Sequence, residues 1–336
     1  MRLLLLSAIF GITFSSAALA ADEPKPLRVG IIGLDTSHVT AFTGLLNAAK
    51  AKPELAGVRV VAAFPAGSPD VEASSTRVKG FTDTLKDKFG VEIVDSIEAL
   101  LPKVDVVLLE SVDGRPHLEQ VKPVLKAGKP VFIDKPVAGS LADAIQIYDL
   151  ARQYKTPVFS SSSLRFTADV VAMKKNEKLG TLIGCMTYSP CSLEAHHPDL
   201  FWYGVHGVEV LYTLMGTGCE TVSRAQTKDT DVVTGTWKDG RVATYRGIRG
   251  GKADYGMVGF GTKAIEAVTI KHSYEPLLVE IVKFFRGGAA PVSAEETVEM
   301  FAFMEAADES KRRGGATVKI ADVMQNAREQ IGKAPK

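Results

Sequence analysis

The chain has 336 residues, 46% hydrophobic and 24% charged, with 40 Lys and Arg against 39 Asp and Glu for a formal charge of +1. That length exceeds what one hydrophobic core usually serves, so two domains with a cleft between them are expected. Balanced charge without long charge runs argues against disorder, nucleic-acid binding and membrane-surface binding, which leaves a small-molecule ligand.

In chain order, residues 1–20 read as a secretory signal: Arg2, an apolar run over 3–14, and the small-residue cleavage site Ala18-Leu19-Ala20. Neither a twin-arginine pair nor a Cys just after the cleavage site is present, so a Sec route is expected. The mature protein is then periplasmic or secreted, and free of the membrane once the leader is removed. The run 27–34 is apolar and β-branched, as in a strand buried on both faces. A helix over 37–51, a strand over 58–64, a helix end at 82–89 and strands over 91–94 and 104–111 follow. A helix over 117–127 stops at Gly128, and a strand over 130–133, an amphipathic helix over 140–154 and a strand over 157–160 complete the series. Strands alternating with helices at this spacing predict a Rossmann-like, doubly wound parallel sheet over 27–160, with ligands at the carboxyl ends of its strands.

The pattern changes at Ser161. A helix over 165–178 leads into strands over 183–189, 220–226, 231–237, 241–248, 257–260 and 264–270, several joined by Gly-bearing turns such as Lys238-Asp239-Gly240. Helices over 274–286 and 294–312 follow, the second opened by Ser293 with Glu296 three residues on, a capping box. Residues 161–330 are therefore predicted to form an α+β domain with an open, mostly antiparallel sheet. Cys185, Cys191 and Cys219 are an odd number without zinc-type spacing; one bridge is open to them, and buried thiols are the expectation.

Three stretches carry a family resemblance: Gly30-Ile31-Ile32-Gly33 at the end of the first strand; Ala127 to Pro136, which reads Ala-Gly-Lys-Pro-Val-Phe-Ile-Asp-Lys-Pro; and Tyr203-Gly204-Val205-His206-Gly207-Val208-Glu209. In order and spacing they resemble the glucose-fructose oxidoreductase, inositol dehydrogenase and rhizopine-catabolism family, abbreviated Gfo/Idh/MocA. The resemblance implies a nucleotide-binding domain followed by an open-sheet domain that supplies substrate contacts and a homo-oligomer interface. It also implies hydride transfer between NAD or NADP and a sugar or polyol. Lys135 and His206 map onto the reacting centre. A group that accepts the hydroxyl proton is required there, and His or a Lys with lowered pKa does this near neutral pH. Cofactor contacts are expected from Gly30, Gly33, Asp35, His38, Ser111, His117, Asp134 and Lys135, and substrate contacts from Asp113, Arg115, Arg165, Trp202 and Tyr203.

The dinucleotide fingerprint is incomplete. In register, Gly33 is followed by Asp35 and His38 where two further glycines belong, which sets a carboxylate beside the expected pyrophosphate. The second strand ends in Ala62-Ala63-Phe64-Pro65 with no acid for the ribose, and Trp202 replaces an Asp common four residues before the helix histidine. Asp35 or Ser37 has an alternative role as helix N-cap, and Arg165 as a brace between domains. His206 has an alternative place in the core. A metal held by Asp35, His38 and Asp113 or His117 is chemically accessible, but the ligands come from separate loops and no metal is assigned. Three functions follow: an NAD(P)-dependent sugar or polyol dehydrogenase; a non-redox carbohydrate lyase, epimerase or hydrolase on the same scaffold; and a silent binding protein, which so many titratable groups on one rim disfavour.

Overall fold

A computed structural model of the chain describes residues 26–333, so the expected signal at 1–20 lies outside the described residues. The first half folds as β1 (Leu27–Ile32), α1 (Ser37–Leu46), β2 (Val58–Phe64), α2 (Glu72–Ser75), α3 (Val78–Phe89), β3 (Glu92–Ile93), α4 (Ile97–Leu100), β4 (Val106–Leu109), α5 (His117–Lys126), β5 (Val131–Ile133), α6 (Leu141–Tyr154) and β6 (Val158–Ser160). The strands form one parallel sheet in the order β3-β2-β1-β4-β5-β6. Its order reverses between β1 and β4, so the crevice opens at their carboxyl ends. Apolar residues run continuously along these strands because helices cover both faces; Ile31, Ile32, Leu108 and Leu109 are wholly buried.

Two local departures from expectation have visible causes. The first helix stops at Leu46 rather than continuing to residue 51, because the Asn47 amide turns to β2, donating to Val60 O and accepting from Val60 N at 2.9 Å each. The short helix α2 was unforeseen. Of the two motif glycines, Gly30 faces the interior, where a Cβ would meet Val104 and Leu100, and so has no contact with the crevice. Gly33 has φ +87°, and a Cβ there would collide with the backbone of Ser111. Gly33→Ala is therefore expected to destabilise the protein by more than about 1 kcal/mol in a denaturant titration; an unchanged midpoint would contradict this packing.

The second half comprises α7 (Ala168–Lys174), β7 (Leu182–Pro190), α8 (Asp199–Trp202), α9 (Val205–Met215), β8 (Cys219–Gln226), β9 (Thr230–Trp237), β10 (Val242–Ile248), β11 (Gly256–Gly261), β12 (Ile265–Thr269), α10 (Glu275–Phe285), α11 (Ala294–Arg312), β13 (Val318–Lys319) and α12 (Ile320–Lys333). The helix expected over 165–178 is instead a 3-10 turn followed by α7, since Thr167 between them is extended at ψ 147°. The seven-stranded sheet runs β12-β11-β7-β10-β9-β8-β13, antiparallel throughout except where β7 meets β10. Helix α9 packs on it so closely that a Cβ on Gly207 would overlap the Tyr245 ring, and Thr187 Oγ1 donates to Gly207 O at 2.9 Å. All three cysteines are free and buried.

The break at residue 160 in the sequence is not a break in space. Leu277, Leu278, Ile281, Val282, Phe284 and Phe285 of α10 pack with Val29, Phe132 and Phe159 of the first sheet and Phe42 of α1. Helices α11 and α12 lie against α6. Ser293 caps α11 by accepting from Glu296 N at 3.1 Å, but the reciprocal half of the expected capping box is missing because the Glu296 carboxylate goes to Arg165.

Candidate active site

The turn after β1 corrects the expectation for Asp35. Its carboxylate is turned inward, fully buried, accepting from Val112 N at 2.8 Å and from Ser74 Oγ at 2.6 Å. Burial pushes its pKa up, and those two bonds offset this only in part. Asp35 thus ties α2 and the loop after β4 to the β1 turn and puts no charge in the crevice. Nor does it cap α1, whose N-cap is Thr36 with no side-chain bond; Ser37 is already helical. The amides of Ser37 and His38 at the start of α1 have no protein partner among the described residues, and Thr36, Ser37 and His38 line the cleft.

The loop after β4 is likewise committed to structure. Ser111 Oγ donates to Gln120 Oε1 at 2.9 Å, and His117 is wholly buried with its ring nitrogens 2.8 Å from Ser111 O and 3.3 Å from Val137 O. Burial lowers the His117 pKa. Asp113 accepts from Ser68 Oγ at 2.6 Å and from Arg115, and lies 3.0 Å from Nε2 of His197, which comes from the second half. Burial opposes its ionisation, but His197, Arg115 and Ser68 outweigh that and hold its carboxyl far below the usual range. Arg115 also pairs with Asp70 at 2.9 Å. Asp113 therefore latches the two halves together through His197 while Arg115 ties it to Asp70 within the first half, and neither they nor His117 and Ser111 line the cleft.

Beneath His38 lie two acids. Its Nδ1 is 2.8 Å from Asp134 Oδ2 and 3.7 Å from Glu110 Oε2, without hydrogen-bond alignment to either. Glu110 and Asp134 are 0% and 1% exposed. Burial, and then Asp134, push Glu110 well above the usual carboxylate pKa. Burial acts on Asp134 in the same direction, but His38 and Lys135 overcome it and keep that carboxyl low. His38 is thus drawn to Glu110 and Asp134 rather than to Asp35, Asp113 or His117.

Above them opens a cavity of about 540 Å³ lined by Lys135, Trp202, Tyr203, His206, Tyr255, His272 and Tyr274. Lys135 leaves β5 with its Nζ 5.9 Å from the centre of the Tyr203 ring. His206 rises from the first turn of α9; Ser162 Oγ lies 2.7 Å from its Nδ1, while Nε2 has no hydrogen bond among the described residues. Tyr255 donates to Tyr203 across the cleft at 3.1 Å, and Ser163 Oγ lies 3.1 Å from His272 Nε2. The sequence reading missed Tyr255, His272 and Tyr274. They flank β11 and β12 in irregular segments, where neither periodicity nor spacing marks a residue. Arg77 also lines the cavity, and no carboxylate does.

Burial lowers the His206 pKa well below the ordinary imidazole value, and the nearby charges of Lys135, His38 and His272 lower it further. The unfolded chain therefore binds protons first as pH falls below about 6.5, so stability declines with acidification through that window by up to about 1.4 kcal/mol per pH unit for each such imidazole. His206→Gln is expected to flatten the fall in melting temperature between about pH 6.5 and 5; an unaltered slope would exclude His206 as a source.

Arg165 is 6% exposed and does not line the cavity. It pairs with Glu209 of α9 and, at 2.7 Å, with Glu296 of α11, and Ser161 Oγ donates to Glu209 at 2.8 Å. Both partners lie in the second half, so Arg165 ties the segment after β6 to α9 and α11 within that half and does not bridge the two domains.

Residues 27–161 match the profile of the oxidoreductase family with NAD-binding Rossmann fold, Gfo/Idh/MocA. Over these residues, less than half of the chain, the Rossmann-type domain is of this family's kind. Among relatives, it is 25% identical over 226 residues to the inositol 2-dehydrogenase/D-chiro-inositol 3-dehydrogenase of Halalkalibacterium halodurans, covering 65% of this chain and 61% of that protein. Its fold is similar to that of scyllo-inositol dehydrogenase from Lactobacillus casei, solved with NAD(H) and scyllo-inositol (TM-score 0.72, 16% identity, 88% of this chain, 100% of that one). GenD2 from gentamicin A biosynthesis, solved in complex with NAD, is similar to the same degree (TM-score 0.71, 15% identity, 88% and 97% covered). Within the matched stretch, the two fingerprint positions after Gly33 are filled by the buried side chains of Asp35 and His38. Among the described residues no helix is long and apolar enough to cross a membrane.

Proposed function

We propose that the chain is an NAD(P)-dependent oxidoreductase acting on a hydroxyl of a sugar or polyol. The observation that carries this is the continuity of one cleft from the uncapped start of α1 to Lys135 and His206. Unpartnered amides at a helix N-terminus suit a phosphate, the more so with Arg77 lining the same cavity. The inward turn of Asp35 removes the repulsion that the sequence led one to expect. Thr36, Ser37, His38 and Arg77 would hold the dinucleotide, and its nicotinamide supplies the hydride acceptor when bound.

The chain's own part is proton handling and positioning. Lys135 and His206 both line the cavity, one from each half of the fold, and either offers a nitrogen to the hydroxyl proton. The Ser162 bond fixes the His206 ring at Nδ1 and leaves Nε2 for the substrate. Trp202 and Tyr203 provide faces for the C–H side of a sugar ring. Export to the periplasm or beyond, on the strength of the leader, and a homo-oligomer formed through the open sheet belong to the same reading.

A non-redox carbohydrate lyase, epimerase or hydrolase is the second reading. What favours it is the lack of a ribose acid after β2 together with the imidazoles and tyrosines crowding the cavity. Calorimetric titration of the purified protein with NAD(H) and NADP(H) tests the two. Binding, with the nicotinamide signal changing when inositols or hexoses are added, is the expected result. No binding at millimolar cofactor would overturn the first reading in favour of the second.

A further inference from the structure

We propose that His38, Glu110 and Asp134 form a binding site for a divalent cation of the zinc class, set beneath the floor of the cleft. One ligand atom from each residue lies within 4.8 Å of the other two. Zinc bonds of about 2.0–2.2 Å at tetrahedral angles separate ligand atoms by roughly 3.4 Å, and the observed 2.8 and 3.7 Å from His38 Nδ1 bracket that spacing.

The second observation is independent of spacing. Both oxygens of Glu110 and both of Asp134 are buried without a hydrogen-bond partner, and so is His38 Nδ1 despite its closeness to Asp134. Buried polar atoms are otherwise nearly always satisfied. Three residues whose ligand atoms gather within 4.8 Å, and whose five polar atoms are buried and unpartnered, are what a ligand set looks like. Neither acid has a salt-bridged Lys or Arg among the described residues; the nearest cationic side chain in sequence, Lys135, turns its Nζ towards the Tyr203 ring.

Donor chemistry selects the cation. One imidazole with two carboxylates suits zinc, manganese or cobalt better than magnesium or calcium, which prefer oxygen alone. Three protein ligands leave a fourth position, as in catalytic rather than structural zinc sites. The ligands come from α1, the end of β4 and the end of β5, so the parallel sheet itself sets their spacing.

The test uses the whole mature protein, stripped with dipicolinate and then titrated with Zn²⁺ or Co²⁺, and needs no turnover. One equivalent of metal retained on gel filtration, visible Co²⁺ absorption bands and a raised melting temperature are expected. Glu110→Gln and His38→Gln should each lose all three signals, with circular dichroism reporting that the variants fold. Failure of the wild type to retain metal would overturn the proposal, as would undiminished binding by either variant. Metal binding without dinucleotide binding would support this site while counting against the function proposed above; the reverse would do the opposite.

Discussion

Lys135→Ala is expected to lower kcat by about 10²- to 10⁴-fold, the usual contribution of a positioned proton acceptor. The fold should be untouched, because the Lys135 amine makes no hydrogen bond among the described residues and faces the cavity. Lys135→Arg separates two explanations. It keeps the positive charge but cannot shed a proton, so it should be nearly as inactive as the alanine variant. Initial rates with NAD(P)⁺ and the best inositol or hexose, alongside a thermal melt, decide the matter. Full activity in Lys135→Arg would reduce the lysine to a charge that holds a ligand, and full activity in Lys135→Ala would remove it from the chemistry.

The second large effect is on stability. Arg165→Met is expected to cost about 3–5 kcal/mol, as when one member of a buried ion pair is removed and its partner is left behind. Glu209, 1% exposed, would keep only the Ser161 hydroxyl. Adding Glu209→Gln should recover part of that loss, since the stranded charge is then gone. Guanidinium unfolding of the four proteins measures this. A loss below about 1 kcal/mol would mean that the brace is replaced by water, and a raised KM at unchanged stability would return Arg165 to the substrate.

Much of the frame could be read beforehand because it rests on local rules. The parallel strands declared themselves as unbroken apolar runs, and all six strands expected after residue 180 begin and end within one residue of those observed. The rim was harder. That Asp35, Glu110, Asp113, Asp134 and His38 meet at the carboxyl edge follows from topology, but which way each side chain turns does not. Asp35 points inward because Ser74 of α2 and the Val112 amide wait for it, and α2 has no periodic pattern to announce it. Arg165 was left between two roles because Glu296, its second partner, lies more than a hundred residues downstream. The same reason hid Tyr255, His272 and Tyr274.

Helix α10 has a further meaning for how the molecule behaves as a mechanical object. The chain leaves the first layer at Ser160, builds six of the seven strands of the wide sheet, and then sends six large apolar side chains back under β1 and β5. The second half therefore supplies part of the first half's interior, and Asp113–His197 fastens the seam between them. Opening the cleft by rigid rotation would tear core packing, so ligand exchange must proceed through loop and side-chain movement around walls that stay in place. A fragment ending at residue 160 would be missing part of its own interior and would expose the apolar floor that α10 covers.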